Sequence, residues 1–426
     1  MGRAGRTIHD AGFAPLFLSI APAVRGAEGY DAMERDELAG DLATLGEQTS
    51  GHVPDRLEGF AKDFRTQIAP GKLRQYLKKD PQGRIALMSR YLEFDPSELE
   101  VVPFSSTPHT VYRNQFAKAP MRGASFAEFW RSLPQIHAGS SVRTVAQRLA
   151  EARRRDRAIV VACGGHVVKC GLGPVLIALM REGFISAIAM NGATAIHDIE
   201  VALFGETSEL VEQGLQSGRF GMACETAEFH NAALAAARAH REGAGEAFGR
   251  MLCERDAPFA GDSLLASAYA DGIPVTVHVA IGTDIVHMHA SADGAALGDA
   301  SMRDFRILTA AMRGLSSGGV LLNIGSAVIL PEVVLKAIAS LRNADAEFGG
   351  FLGVNLDMIQ HYRANSQIVD RLRAIGGEGI SLTGHHEIMV PLLAFAVLDA
   401  SAELADEDRA AARPRHSSEN RAQSAG

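Results

Sequence analysis

The sequence predicts a doubly wound α/β protein with a mostly parallel sheet, and three observations predict it. Short apolar runs recur at 158–163, 185–190, 272–280, 319–323 and 351–355. Each leads into a glycine-bearing or polar loop, and stretches of helical length separate them. Continuous apolar runs of about four to eight residues suit strands covered on both faces. Strand, helix and strand at this spacing make parallel neighbours, which places the carboxyl ends of the strands on one edge. Ligands of open α/β sheets bind along that edge.

Residues 1–80 are polar, mixed in charge and weakly periodic, and read as an N-terminal extension or arm, with 31–45 a surface-helix candidate. Residues 81–400 read as a single α/β domain, in which Trp130 is expected in the core. A helix is predicted over 141–155, with Val142, Val145 and Leu149 on one face and Ser141 as N-cap. The strand at 158–163 is followed by a loop at 164–166, a helix over 171–182 ended by Gly183, and the strand 185–190. Helices are expected at 197–204, through most of 206–246, at 303–314 and at 332–341, where Pro331 suits a first turn. A loop rich in His, Asp and Gly is predicted over 282–298. From about Ser401 the chain loses apolar periodicity and reads as a disordered tail, 401–426.

The totals bound the function. The chain has 426 residues, 47% of them hydrophobic, so it can bury a sizeable core. A net charge of −8 argues against a nucleic-acid partner and suits a cationic small molecule. Cys163, Cys170, Cys224 and Cys253 form no C-x-x-C pair, so reduced thiols and a cytoplasmic setting are expected. No uninterrupted apolar run approaches the roughly 20 residues that span a bilayer, so no membrane partner is expected. The segment 13–24 vaguely resembles a signal peptide, but Pro15 and Pro22 interrupt it and no small-x-small site follows.

The chemistry gathers at the strand ends. Gly164, Gly165 and His166 follow the first of these strands, and Asn191, Gly192 and Ala193 the second. Asp284, His287, His289, Asp293 and Gly294 follow the third; Asn323, Gly325 and Ser326 the fourth; Asn355 and Asp357 the fifth. Glycine turns and helix N-termini suit phosphates, and Asp and Asn side chains suit ribose hydroxyls, so together they favour a dinucleotide. There is no G-x-G-x-x-G and no P-loop pattern. Histidines at these ends offer acid–base chemistry near neutral pH, with His197, His278, His287 and His289 the candidate bases. Asp198, Glu200 and Asp284 are candidates to hold an ammonium group. The rival reading is a metal-dependent hydrolase, with zinc on His287, His289 and Asp293 or on His385, His386 and Glu387. A third is a non-catalytic nucleotide-binding regulator.

Three stretches carry a family resemblance: NGATAIHDIE at 191–200, GIPV at 272–275 with DGAALGD at 293–299, and GVLLNIGSAV at 319–328. They resemble the deoxyhypusine synthase family, over roughly 155–398. Relatives of that fold that act as ornithine cyclodeaminases have a similar small-residue turn leading to His-Asp-Ile-Glu. The resemblance implies a Rossmann-like fold, bound NAD, a homotetramer with sites at subunit contacts, and oxidation of a small amine, polyamine or amino acid to an imine. By position, Asn191, Gly192, Ala193, Asp293, Gly294, Gly325 and Ser326 would touch NAD, and His197 and Asp198 would face the amine. The family's catalytic lysine is replaced by Ile329, followed by Leu330 and Pro331. Covalent transfer to that lysine is therefore not expected, whereas hydride chemistry survives.

Overall fold

The computed structural model describes residues 77–79, 85–87, 94 and 96–411. Apart from residues 77–79, the expected N-terminal arm, with its helix candidate at 31–45, lies outside the described residues. The chain divides into two units, 1–108 and 109–426. In the first, β1 (Leu77–Lys79) pairs antiparallel with β2 (Ile85–Leu87).

The second unit holds a six-stranded, wholly parallel sheet of β3 (Ile159–Cys163), β4 (Ala187–Asn191), β5 (Val275–His278), β6 (Val320–Ile324), β7 (Leu352–Asp357) and β8 (Glu378–Thr383). Their order is β5-β4-β3-β6-β7-β8. The order runs outward in one direction from β3 and in the other from β6, which is the Rossmann-like, doubly wound arrangement. The strand order reverses between β3 and β6, the switch point at whose carboxyl edge sheets of this kind form their binding crevice.

Alternation along the strands divides the core between two faces. Ile159, Val161 and Cys163 of β3, with Ile188 and Met190 of β4, join one cluster. That cluster takes in α1 (Phe126–Ser132), α2 (His137–Arg154), α3 (Gly165–Lys169), α4 (Gly173–Arg181) and α5 (Gly192–Phe204). Past α6 (Val211–Ser217), the same layer continues through α7 (Cys224–His240), α8 (Ala244–Glu254) and α9 (Leu264–Ala270). Val160, Ala162, Ala187 and Ala189 face the other way, onto α10 (Gly294–Ala311) and α11 (Ile329–Ala344). The last helix, α12 (His386–Ala411), returns to the first face through Val390, Leu393, Ala396 and Val397.

Several boundaries differ from the sequence reading, each for a local reason. Helix α2 starts at His137, so Ser141 lies inside it rather than capping it. The 164–166 loop shrinks to Gly164, because α3 begins at once. The loop predicted over 282–298 ends at Asp293, whose side chain caps α10 at Ala295 N, 2.8 Å away. Strand β8 has no apolar run to announce it: it is an edge strand whose residues are mostly exposed or half-buried. Order also continues past Ser401, since α12 runs to Ala411. This helix is long and apolar enough, by composition alone, to cross a membrane, a feature that its interrupting Pro391 and Asp399 hide in the sequence. Its inner stripe lies in the protein core.

Asp304 joins α10 to the sheet. Its buried Oδ2 accepts the Val277 N–H at 2.7 Å and the Gly245 N–H at 3.1 Å. Burial pushes its carboxyl from an ordinary 3.8 up to about 7, against those hydrogen bonds. Between those values the folded chain holds a proton that the unfolded chain has released. This residue's contribution to stability is therefore greatest at low pH and falls as pH rises through the window. Asp304→Asn removes the titration while the buried His230 and His278 titrate alike in both proteins. In urea melts from pH 4 to 7, wild type is expected to lose on the order of 3 kcal/mol relative to the variant. A pH-independent difference would show that Asp304 stays ionised in the fold.

Candidate active site

The tips of β3, β4 and β5 bring a cleft of about 160 Å³ together. Lys169 ends α3, beyond β3; His197 and Glu200 lie one turn apart on α5, beyond β4; Asp284 follows β5. Ile196 and Phe220 supply apolar wall, and Glu209 adds a third carboxylate. Helix α5 is aimed by its N-cap, Asn191, whose Oδ1 accepts the Thr194 N–H at 2.9 Å. Two glycines allow the closest approaches. A Cβ on Gly192 would lie 1.9 Å from Asp284 Oδ2, so that carboxylate rests on the backbone at the start of α5. At the crevice itself, a Cβ on Gly164 would lie 2.1 Å from the Gly325 carbonyl oxygen.

Within the cleft, Thr207 Oγ1 lies 2.7 Å from His197 Nδ1 and also hydrogen-bonds Glu200 Oε2. The Thr226 hydroxyl donates to Glu200 Oε1 at 3.2 Å. Burial works to raise the Glu200 carboxyl, but the neighbouring His197 imidazole and the hydrogen bonds from Thr207 and Thr226 hold it below the ordinary range. Asp284 goes the other way: burial raises it against the opposing pull of His287 and Thr283. His287 Nδ1 accepts the Gly282 N–H at 3.1 Å, and its Nε2 lies 3.8 Å from Asp284 Oδ2.

A second cluster joins the tips of β3 and β7 to the start of α12. His166 Nδ1 and His386 Nδ1 are 3.0 Å apart, and Cys170 Sγ lies 3.4 Å from His166 Nδ1 and 3.6 Å from Glu387 Oε2. His386 Nε2 is buried, has no hydrogen-bond partner among the described residues, and faces Asp357 Oδ1 at 3.6 Å. Burial lowers His386 against the pull of Asp357, and burial with Glu387 raises the Cys170 thiol. A thiol raised in this way is no ready nucleophile.

The remaining sequence candidates have other occupations. Asp198 faces away from the cleft, fully buried: it accepts the Ser263 hydroxyl at 2.6 Å and the Leu264 and Leu265 N–H groups at 2.8 and 2.9 Å, so it anchors the start of α9. His278 is buried against the Thr276 hydroxyl, 3.0 Å away, and burial lowers it to about 4. His289 Nε2 bonds the Gly221 carbonyl at 2.8 Å. Asp293 is a cap with Arg238 3.9 Å away, and Gly294 is the first residue of α10. Asn323 Nδ2 donates to Asn355 Oδ1 at 2.7 Å, and Asn355 Nδ2 to Gln360 Oε1 at 2.8 Å, so these buried amides brace β6 to β7 and its following turn instead of facing a ribose. Ser326 Oγ accepts the Leu330 N–H at 3.3 Å. The zinc reading loses its geometry, since His287, His289 and Asp293 are each engaged separately. Among the described residues no group of three or more His, Cys, Asp or Glu is arranged to hold a metal ion.

The sequence reading missed Thr207, Glu209, Phe220 and Thr226 in this site. All four stand between α5 and the middle of α7, away from any strand end, and only the folding of this segment back over α5 brings them in.

Comparison with known proteins bears on this half of the sheet. The profile of a family described as arginine dihydrolase ArgZ-like, C-terminal, Rossmann fold, matches residues 143–226. An ornithine cyclodeaminase of Methanothermobacter thermautotrophicus is 33% identical over 66 residues, which are 16% of this chain and 16% of that protein's own length. Among solved structures, AgrE in complex with ornithine and NAD+ aligns at 15% identity and a TM-score of 0.40, over 63% of this chain and 34% of that one. A deoxyhypusine synthase-like protein of Entamoeba histolytica aligns at 12% identity and a TM-score of 0.39, over 66% of this chain and 95% of that one. The profile match includes the NGATAIHDIE stretch, and it is ArgZ-like rather than specific to deoxyhypusine synthases.

Asp198→Ala strands the donors at the start of α9 and is expected to cost about 3 kcal/mol, read as a lower urea midpoint. Asp198→Asn keeps one acceptor oxygen and is expected to lose less. Unchanged stability with lost turnover would return Asp198 to the chemistry.

Proposed function

We propose that this chain is an NAD-dependent enzyme that oxidises a small amino acid or amine at the carbon bearing nitrogen, and that the cleft of Lys169, His197, Glu200 and Asp284 holds that substrate. The observation that carries the reading is the convergence of these four side chains beside the crevice where the strand order reverses. The ArgZ-like profile and the ornithine cyclodeaminase match support it.

Two features of this switch point bear on a dinucleotide. Its turns are glycine and closely packed, with no room for a side chain: a Cβ on Gly325 would lie 2.8 Å from the His386 ring, and one on Gly165 would lie 3.3 Å from His197. Beneath it, Asn323 Oδ1 and His386 Nε2 are buried polar atoms without a partner among the described residues. Gly165 and Gly192 would hold the dinucleotide through their backbone, with His166 and Asp357 beside it. Bound NAD would supply the hydride acceptor.

The side chains of the cleft do the rest. Glu200 and Asp284 take the substrate's ammonium group, and Lys169 takes a carboxylate where the substrate has one. His197 accepts the proton that the nitrogen gives up as the imine forms. Three carboxylates to one ammonium favour a substrate with more amine than acid, and ornithine is the first to try. The imine is then hydrolysed or attacked by a second amine of the same molecule. Ile329, Leu330 and Pro331 form the first turn of α11, with Leu330 and Pro331 in the core, so no lysine stands there for covalent transfer.

The test is calorimetry with NAD, followed by nicotinamide absorbance with a panel of amino acids and diamines. NAD is expected to bind wild type, Lys169→Met and Glu200→Gln alike. The two variants are expected to show KM raised about 10- to 100-fold, as the loss of a charged contact of about 1.5–3 kcal/mol implies. Protein that binds no NAD overturns the proposal, and NAD binding with no turnover of any amine favours a regulator.

A further inference from the structure

We propose that Thr207 is a positioning residue: it fixes the proton of His197 on Nδ1 and so makes Nε2 the basic atom presented to the cleft. This rests on the reading of the cleft given above and adds a residue to it. A threonine hydroxyl has one hydrogen to give and lone pairs to receive with. Thr207 Oγ1 is within hydrogen-bond distance of two groups, His197 Nδ1 at 2.7 Å and Glu200 Oε2. An ionised carboxylate can only accept. The single hydroxyl hydrogen therefore goes to Glu200, and the bond to His197 is made by Nδ1–H donating to the hydroxyl oxygen. A neutral imidazole with Nδ1 protonated carries its lone pair on Nε2.

The surroundings favour this polarity. The other oxygen of Glu200 already receives the Thr226 hydroxyl at 3.2 Å, which leaves Oε2 for Thr207. His197 Nδ1 is 3.7 Å from Glu200 Oε2, too far for a direct hydrogen bond but close enough for the carboxylate to stabilise an imidazolium once Nε2 gains a proton. Both side chains are well covered, 16% and 14% exposed, so water competes weakly for these bonds. The backbone sets Thr207 in place from both sides. Gly205 ends α5 at φ 70°, and Ser208 takes φ 71°, a left-handed conformation that a residue with a Cβ adopts at a cost. These two reversals turn the chain back over the last turns of α5, where Thr207 meets a histidine ten positions earlier.

The experiment is nitrogen-15 NMR of the full chain with labelled histidine, the His197 signals assigned by their loss in His197→Gln. Wild type is expected to show His197 protonated on Nδ1 and bare on Nε2. Thr207→Val, which keeps the shape but can neither accept nor donate, is expected to release the Nε2–H form, and Thr207→Ser to keep the wild-type tautomer. Glu200→Gln, able to donate to Oγ1, is a second route to the same release if the valine variant does not fold. In turnover, Thr207→Val is expected to lower kcat about 10- to 100-fold with KM held within about twofold, and Thr207→Ser to restore it. An Nε2–H tautomer in wild type, or a tautomer that both Thr207→Val and Glu200→Gln leave unchanged, overturns the proposal. The tautomer is read without substrate or NAD, so a protein that turns over no amine would defeat the enzymatic reading and leave this one decided on its own result.

Discussion

Backbone touches backbone where Gly164, leaving β3, passes Gly325, leaving β6, and the rest of the site is hung from that contact. The Gly164 N–H donates to the Ile324 carbonyl at 2.9 Å, and the Gly325 N–H to the Leu356 carbonyl at 3.1 Å, so the sheet's pairing extends past the strand ends. With the loop cut to one residue, α3 begins immediately and has no freedom to choose its orientation. Residues four apart on a helix share a face. Gly165 and Lys169 accordingly belong to the cleft with His197, while His166 and Cys170 turn to His386 and Glu387. One short helix thus separates the amine-binding side of the proposed site from the histidine pair.

Buried carboxylates in this fold divide by their partners rather than by their depth. Asp198 and Asp304 are both wholly buried and both receive backbone N–H groups. Such bonds fix a helix start or a strand end and leave little capacity for a ligand. Glu200 and Asp284 take side-chain donors instead, and each keeps a side toward open space. The same residue type one position from the cleft, as Asp198 is from His197, has a different role because a helix rotates successive side chains by about 100°.

The parallel sheet was legible because its central strands are buried on both faces and so appear as unbroken apolar runs. Its edge was not: β8 carries Glu378, Gly379 and Ser381, and no periodicity marks a strand that the solvent covers on one side. Strand-end position singled out His197, Glu200 and Asp284, which line one cleft, since the rule that ligands gather there is topological and needs no side-chain detail. It also gathered Asn323, Asn355 and His278, which sit at the same ends but pair with neighbours inside the sheet. Spacing along a chain cannot tell an amide that faces a neighbouring strand from one that faces a ligand. Thr207 was beyond reach altogether, because its place depends on two left-handed residues whose effect appears only when the chain has turned.

Ile329, where the resemblance to deoxyhypusine synthases would place a lysine, acquires a physical sense once α11 is in view. In place of a long charged side chain, the turn that follows Gly325 and Ser326 buries Leu330 and Pro331, and Ser326 itself receives the Leu330 N–H. Ile329, which takes the lysine's place, is half-buried beside these residues. The β6 side of the crevice is therefore built for packing and close backbone approach. The charged and titratable groups of the cleft, Lys169, His197, Glu200 and Asp284, converge across α3, on the β4 and β5 side. Under the proposed chemistry the imine would then be left free to react with water or with the substrate's own second amine, rather than being captured by the protein.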